Sequence, residues 1–358
     1  MCNACPTIGN ESDPGEFAQR MLQILNDAGL ALMISVGHRT GLFDALDKKN
    51  GTSAEIAELA GLNERYVREC LGALTTGKII DYSADDQTYS LPAQHAAFLT
   101  SRAGMDNLAS TMQWVSVLGE VESRIVDCFH NGGGVPYEEF SRFHTVMADE
   151  SDKTVVEPLV EKILPVCSGI DDKLRQGINV LDVGCGSGRA MIEAAKQFPN
   201  STFTGYDLCS ETIAAANALA EREGVANVRF EQKDVSNMRH CEEFDLITAF
   251  DAIHDQARPA QVLSNISKAL KKDGTFLMQD IGASSYVEKN MEAPLGPFLY
   301  TISCMHCMTV SLAQDGAGLG AVWGKEVASN MLKDAGFNKV EVHNCDHDIL
   351  NFYYVACA

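Results

Sequence analysis

The sequence predicts an α/β chain. Its core is a seven-stranded, mostly parallel, doubly wound sheet with one reversed strand at an edge, preceded by a smaller α-rich domain. Three observations carry this. From about Gln176, apolar strand-like runs alternate with amphipathic helical runs, the pattern of a parallel sheet covered on both faces. A glycine loop, Gly184-Cys185-Gly186-Ser187-Gly188, joins the first of those strands to its helix. Between residues 17 and 102, a helix, a glycine turn, a second helix and two short strands follow one another as in a winged helix.

The first 16 residues are rich in Gly, Pro, Ser and acids and read as a disordered tail. From Phe17 to about Val36 apolar residues recur at helical spacing, and Gly37 and Gly41 break the pattern. A short helix follows at Leu42–Asp47. Thr52 or Ser53 caps the next helix and Gly61 ends it. The second helix of the pair runs from about Asn63 to Thr76, with Gly77 as its stop. Lys78–Asp81 and Thr88–Leu91 read as the two strands of a wing, completing a winged-helix domain over 17–102. Residues 103–165 read as a helical connector and lid with one glycine-rich break at residues 131–137. Residues 166–358 form the main domain. Its strands are placed at Asn179–Val183, Thr202–Tyr206, Val228–Gln232, Phe244–Phe250, Thr275–Asp280, Lys339–His343 and Asn351–Cys357. Helices fall at Ala190–Gln197, Ser210–Gly224, Pro259–Lys271 and Lys325–Ala335, and residues 281–322 are an insertion.

Composition narrows the function. The chain has 358 residues, enough for two domains, and 46% of them are hydrophobic. A net charge of -21 repels phosphate backbones and anionic membrane surfaces. The second helix of the winged domain carries Glu64, Arg65, Arg68 and Glu69, which cancel, so dimerisation or shaping of a substrate site fits better than DNA reading. The twelve cysteines are scattered and the N-terminus lacks an apolar targeting run, which points to reduced thiols and a cytoplasmic location. The charge-free run from Ala293 to Gln314 is interrupted by Pro294, Gly296 and Pro297 and reads as a buried wall or lid, with no membrane span expected.

The glycine loop sits among acids. Asp182 precedes it by two residues, and the second strand ends at Tyr206-Asp207. At the carboxyl end of a neighbouring strand, an ionised Asp207 can accept from both hydroxyls of a ribose. The third strand leads to Lys233-Asp234-Val235, where Asp234 can accept from the amine of adenine and Val235 offers an apolar contact. Acidic and apolar groups suit a cationic sulfonium. They suit a pyrophosphate poorly, since Arg189 is the only cation directly after the glycines.

The runs DVGCGSGRA from Asp182, GYDL from Gly205, KDV from Lys233, FDAIHDQARP from Phe250 and the closing AGF and NFYYVA resemble the motifs of class I methyltransferases, whose fold is Rossmann-like. GHRTGLFDAL, NERYVREC, GVPYEEFSRFH, YTISCMHCMTVSLAQDGAGLG and VWG resemble one subgroup. That subgroup has an N-terminal winged helix and includes mycobacterial methyltransferases. The similarity runs from about residue 28 to the end. It implies S-adenosylmethionine as cofactor, held at Asp182, Gly184, Gly186, Gly188, Asp207, Asp234 and Phe250, with Cys185, Leu208 and Val235 beside them.

Methyl transfer needs an acceptor aligned with the S–CH3 bond and a route for the acceptor's proton. The fourth strand ends at Phe250-Asp251-Ala252-Ile253-His254-Asp255. His254 is the candidate base, with Asp255 or Asp251 to orient it. An Asn/Asp-Pro-Pro-Tyr/Phe loop, common in amino-methylating enzymes, is absent there, which leaves a small-molecule oxygen or sulfur in a closed pocket as the expected acceptor. Tyr137, Phe140, His144, Cys304, His306, Cys307 and Trp323 are the candidates for its walls, and Phe143 accompanies the first three. Cys304 and Cys307, at i and i+3, would face one way on an α-helix, and so also suggest a metalloid or thiol methyltransferase. No resident metal is expected. The expected partners are a small acceptor and a second copy of the chain, not nucleic acid or a membrane. A rival of another class is a winged-helix DNA-binding regulator that senses S-adenosylmethionine.

Overall fold

The computed structural model describes residues 14–357 in two compact units, one up to Ser116 and one from Val117. The expected tail therefore lies largely outside the described residues, together with Cys2 and Cys5. Its last residues, from Pro14, are already helical.

In the first unit, α1 (Pro14–Arg39) is followed by α2 (Leu42–Lys48), α3 (Ser53–Ala60) and α4 (Glu64–Thr76). Thr52 and Glu55 form a reciprocal capping box at the start of α3, and Gly61 closes that helix in the left-handed conformation. Gly37 does not break α1. A Cβ there would sit 2.8 Å from the Phe43 ring, so the glycine lets α2 pack closely against the helix. The wing is a two-stranded ribbon, β1 (Asp81–Ser83) with β2 (Thr88–Ser90), shorter than the two runs expected from sequence. Phe43, Leu46, Ile56, Leu71 and Leu74 are almost fully enclosed in its core. Each contributes about 1.5–3 kcal/mol by leaving water.

The second unit holds a seven-stranded sheet. Its strands are β3 (Asn179–Val183), β4 (Thr202–Asp207), β5 (Val228–Gln232), β6 (Phe244–Phe250), β7 (Leu270–Ile281), β8 (Lys339–Cys345) and β9 (Asp348–Cys357), in the order β5-β4-β3-β6-β7-β9-β8. All pairings are parallel from β5 to β7. β9 runs antiparallel to both β7 and β8. The reversed strand thus lies one place in from the edge, as the inner arm of the terminal hairpin. β7 begins earlier than its composition suggests, because the Lys271–Gly274 stretch is absorbed by a register shift between Phe244 and Leu246 of β6.

Strand side chains alternate between two cores. Leu181, Val183, Ile247, Phe276 and Met278 face α7 (Pro259–Ala269) and α8 (Gly324–Asp334). Val180, Leu246 and Leu277 face α5 (Arg189–Gln197) and α6 (Ser210–Arg222). This two-sided burial explains why the central strands β3, β4 and β6 read as continuous apolar runs, unlike the edge strands β5 and β8. The expected wall at 293–314 is a bent rod of three short pieces: Gly296–Ile302, a π-helical turn at Ser303–Cys307, and Met308–Leu312. No helix among the described residues is long and apolar enough to cross a membrane.

Candidate active site

The glycine loop leaves β3 at its carboxyl end. Gly184, Gly186 and Gly188 all have positive φ, which L side chains adopt at a cost. The loop is pinned to β4: the Gly184 and Cys185 amides donate to the Tyr206 carbonyl at 2.8 and 3.0 Å, and the Gly186 amide donates to Asp207 Oδ2 at 2.8 Å. Asp207 Oδ1 accepts from the Cys209 amide at 2.9 Å. A Cβ on Gly186 would meet nothing within 4 Å, whereas one on Gly188 would strike the Phe230 ring at 2.5 Å. The loop is therefore packed on its inner side and open on its outer side, where a cofactor can lie along it. Arg189 is engaged by Asp152 in an ion pair. Asp234 caps the turn after β5 through the Ser236 amide, and Val235 is buried. Phe250 is half-buried at the end of β6, and Leu208 is largely exposed.

Asp182 is enclosed and accepts from Thr248 Oγ1 at 2.6 Å. Burial lifts its carboxyl to about 7 against that hydrogen bond, and the charge of Asp207 adds to the rise.

The second half of the site lies where β6 and β7 end. Asp251 turns the chain there with a φ of 49°, a left-handed conformation that few side chains adopt, and its amide donates to the Gln279 carbonyl at 3.0 Å. Three residues on, His254 is only 3% exposed. Its Nδ1 lies 2.8 Å from Asp280 Oδ1, which also accepts from Trp323 Nε1 at 2.9 Å and from the Ile281 amide at 2.8 Å. Its Nε2 lies 3.1 Å from Asp255 Oδ1, an ion-pair contact off the hydrogen-bond line, so that this buried oxygen has no hydrogen-bond partner. The other oxygen of Asp255 accepts from the Tyr137 hydroxyl at 3.1 Å. Burial opposes a charge on the imidazole, but Asp280 and Asp255 outweigh it and hold His254 well above its ordinary range. Burial likewise opposes ionisation of Asp255, and the charge on His254 overcomes it, bringing that carboxyl down to about 2. For Asp251, burial reinforced by Asp280 pushes the carboxyl well above the usual range.

Above this pair stands an aromatic cluster. His306 is buried, stacks on Phe143 at 4.0 Å and meets Phe140 and Tyr137 edge-on. Burial brings His306 down to about 4. His144 lies on the exposed outer side of the cluster against Phe143. Cys307 is buried with a ligand atom in the same group as those of His254 and Asp255, all within 4.8 Å of one another. Burial pushes its thiol up to about 12.

Several expectations need correction. Of the two acids expected beside His254, Asp255 lies against Nε2, while Nδ1 meets Asp280, which the sequence reading missed, and not Asp251. The signal was present: an acid at the carboxyl end of an apolar strand, as at Asp207. Trp323 is a buried support beneath Asp280 and not a free wall. Cys304 is half-buried and lies outside the Cys307 group, because the π-helical turn puts i and i+3 out of phase. A surface groove lined by Asn179, Thr202, Glu243 and Lys271 lies at the amino ends of the strands, opposite the glycine loop, and holds none of the expected residues.

Two family models match the chain: an Rv2258c-like winged HTH domain over residues 28–101 and a methyltransferase domain over residues 174–336. A malonyl-[acyl-carrier protein] O-methyltransferase of Bacillus cereus is 28% identical over 158 residues, covering 44% of this chain and 53% of that protein. The chain thus spans about half the length of the curated relatives it matches. Among solved structures, an O-methyltransferase-like protein of Nostoc punctiforme superposes with a TM-score of 0.71 at 17% identity, over 97% of this chain and 100% of the other. Human N-acetylserotonin methyltransferase, in complex with S-adenosylmethionine, superposes with a TM-score of 0.68 at 16% identity, over 98% and 99%. The loop, the sheet order and both domain matches agree: the chain carries an Rv2258c-like winged HTH domain followed by a methyltransferase domain with the class I fold.

Proposed function

We propose that the chain transfers a methyl group to an oxygen or sulfur of a small molecule in a closed pocket, with His254 receiving the acceptor's proton in the fraction of chains whose imidazole is uncharged. The observation that carries this is the placement of His254 on Asp280, with Nε2 turned to Asp255 Oδ1 at 3.1 Å. Bound S-adenosylmethionine supplies an electrophilic methyl on a sulfonium. Asp207 and Asp234 would hold its ribose and adenine, and Gly184, Cys185, Gly186, Gly188, Leu208, Val235 and Phe250 would offer it a surface, with Asp182 behind the loop. An acceptor hydroxyl or thiol that displaces the 3.1 Å contact between Nε2 and Asp255 Oδ1 would find a hydrogen-bond acceptor there. Asp280 holds the ring by its other nitrogen. Tyr137, Phe140, Phe143 and His306 exclude water, which favours alignment in a reaction that neutralises charge. The buried thiol of Cys307 lines the same space.

The test is His254→Ala and His254→Gln, each assayed with an acceptor found by screening and titrated with S-adenosylmethionine. For a hydroxyl acceptor, kcat should fall about 10²–10⁴-fold while cofactor affinity holds. The loss should shrink as pH rises and the acceptor ionises unaided. Wild-type kcat at neutral pH, or collapse of cofactor binding alone, would remove the base assignment.

The same reading makes the chain a homodimer through its first unit, working in a reducing, cytoplasmic setting. On α1, Phe17, Leu22 and Leu25 are 60%, 62% and 69% exposed, an apolar surface a second copy would cover. In α4, Arg65 pairs with Glu69 and Arg68 pairs with Glu64 at 2.8 Å, which spends both arginines within the helix and supports a role without nucleic acid. The ten cysteines among the described residues are free thiols. A monomeric mass in light scattering at micromolar concentration would contradict the dimer.

A further inference from the structure

We propose that His254, Asp255 and Cys307 form a binding site for a single thiophilic divalent cation of the zinc class, and that its occupancy takes His254 out of proton transfer. The inference does not depend on which acceptor is methylated.

The three residues come from separate places, the loop after β6 and the π-helical turn of the 293–314 rod, yet bring one nitrogen, one oxygen and one sulfur within 4.8 Å of one another. In a tetrahedral zinc site with arms of about 2.0–2.3 Å, neighbouring ligand atoms are about 3.3–3.8 Å apart. The 3.1 Å between Nε2 and Asp255 Oδ1 is close to such an edge. That oxygen is buried and faces Nε2 out of hydrogen-bond line, so a cation bound by both atoms would take the place of the proton between them.

The surrounding groups have the form that holds metal ligands. A ligating histidine usually donates its other N–H to a carboxylate, which fixes the ring and its tautomer. His254 meets Asp280 in that way at 2.8 Å, and Trp323 and the Ile281 amide fix Asp280 in turn. The Tyr137 hydroxyl holds the non-ligating oxygen of Asp255. Stacking and edge contacts hold His306, the neighbour of Cys307, against three aromatic rings.

Charge fits as well. Binding would release one proton from Cys307 and one from His254 to solvent, and the resulting thiolate and neutral imidazole, with the Asp255 carboxylate, neutralise a divalent ion; a soft sulfur with nitrogen selects zinc over magnesium or calcium. Three protein ligands leave a fourth position for water or a thiol. The ion would replace the proton on Nε2, so the occupied chain could not use that nitrogen as a base.

The experiment uses the full chain with Cys2→Ser and Cys5→Ser, so that these two N-terminal thiols, three residues apart in the sequence, cannot capture the ion. After chelation and desalting, Zn2+ is titrated against a chromophoric indicator, and Co2+ is followed by its thiolate charge-transfer absorption. One ion per chain is expected, with a cobalt–thiolate band. Cys307→Ser should abolish the band, and both Cys307→Ser and Asp255→Asn should weaken zinc at least about tenfold. Cys304→Ser should leave affinity and band unchanged. Retained S-adenosylmethionine binding shows which variants are folded, and the two ligand variants stand in for one another if one is not. Zinc affinity unchanged in the folded ligand variants, or a cobalt complex with no thiolate band, would overturn the site. Failure of methyl transfer would leave these binding readouts intact.

Discussion

His254 and Asp280 meet at 2.8 Å across the carboxyl ends of two adjacent strands, each nearly sealed from solvent. In Asp280→Asn the side-chain oxygen can still accept from Trp323 and Ile281, but the charge that steadies the imidazole is gone. We expect kcat to fall about 10²–10⁴-fold. Cofactor affinity should stay within about twofold. Steady-state kinetics beside a cofactor titration would check this, and an unchanged kcat would reduce Asp280 to a packing role.

Asp207 should set cofactor affinity. Each hydrogen bond to a charged group contributes about 1.5–3 kcal/mol, so Asp207→Ala should weaken S-adenosylmethionine at least about tenfold. Asp207 also pins the Gly186 and Cys209 amides in the free chain. Asp207→Asn, which keeps an acceptor for one of those amides, should lose less. Calorimetric titration of both variants would decide; equal affinity to wild type would take Asp207 out of the site.

The glycine break before Tyr137 is a packing requirement. A Cβ on Gly134 would fall 2.0 Å from the Thr309 carbonyl and 2.4 Å from the Ala313 nitrogen, while the Val135 amide donates to Thr309 Oγ1 at 2.7 Å. Gly134→Ala should therefore push the segment off the 308–312 helix and carry the Tyr137 hydroxyl away from Asp255. Overpacking of this kind costs about 1–3 kcal/mol. Thermal unfolding should show the loss, and kcat should drop with it while cofactor affinity is kept. A variant as stable and active as wild type would mean that the segment bends without consequence.

How much of this was legible in the sequence differs by kind. Two-sided burial made β3, β4 and β6 readable as apolar runs, whereas β5, at the sheet edge, is mostly exposed and shows itself by its place between helices. Positions where tertiary contact overrides local preference were not readable. Gly37 looks like a helix stop and is a contact for Phe43, and Lys271–Gly274 looks like a turn and lies within β7. In the site, Asp182, Asp207 and His254 announce themselves by position after strands. Asp280 does so too but was passed over, and the separation of Cys304 from Cys307 depends on a helical phase that spacing alone does not reveal.

Asp182 should make stability depend on pH. Its carboxyl is ordinary in the unfolded chain, near 4, and lifted to about 7 in the folded one. The folded chain therefore keeps a proton that the unfolded chain releases. That contribution is fully present below about 4 and is lost as pH rises toward about 7, by at most about 4 kcal/mol. Asp182→Asn removes the effect, so its melting temperature relative to wild type should climb from pH 4 to pH 7 and level off above. A difference that stays flat across that range would show that Asp182 is not held neutral by burial.

The π-helical turn at Ser303–Cys307 makes chain length part of the chemistry. Each residue of an α-helix advances about 100° around its axis. The turn spends one residue more than regular winding needs, so a chain shorter by one residue within 303–307 could keep the flanking helices in phase. A residue added to or removed from the regular piece 296–302 would instead turn Cys307 by about 100° and carry it off Asp255. Length changes in that piece should act like loss of the site itself, while in the divergence of such chains the loss of one residue from the turn is the gentler step.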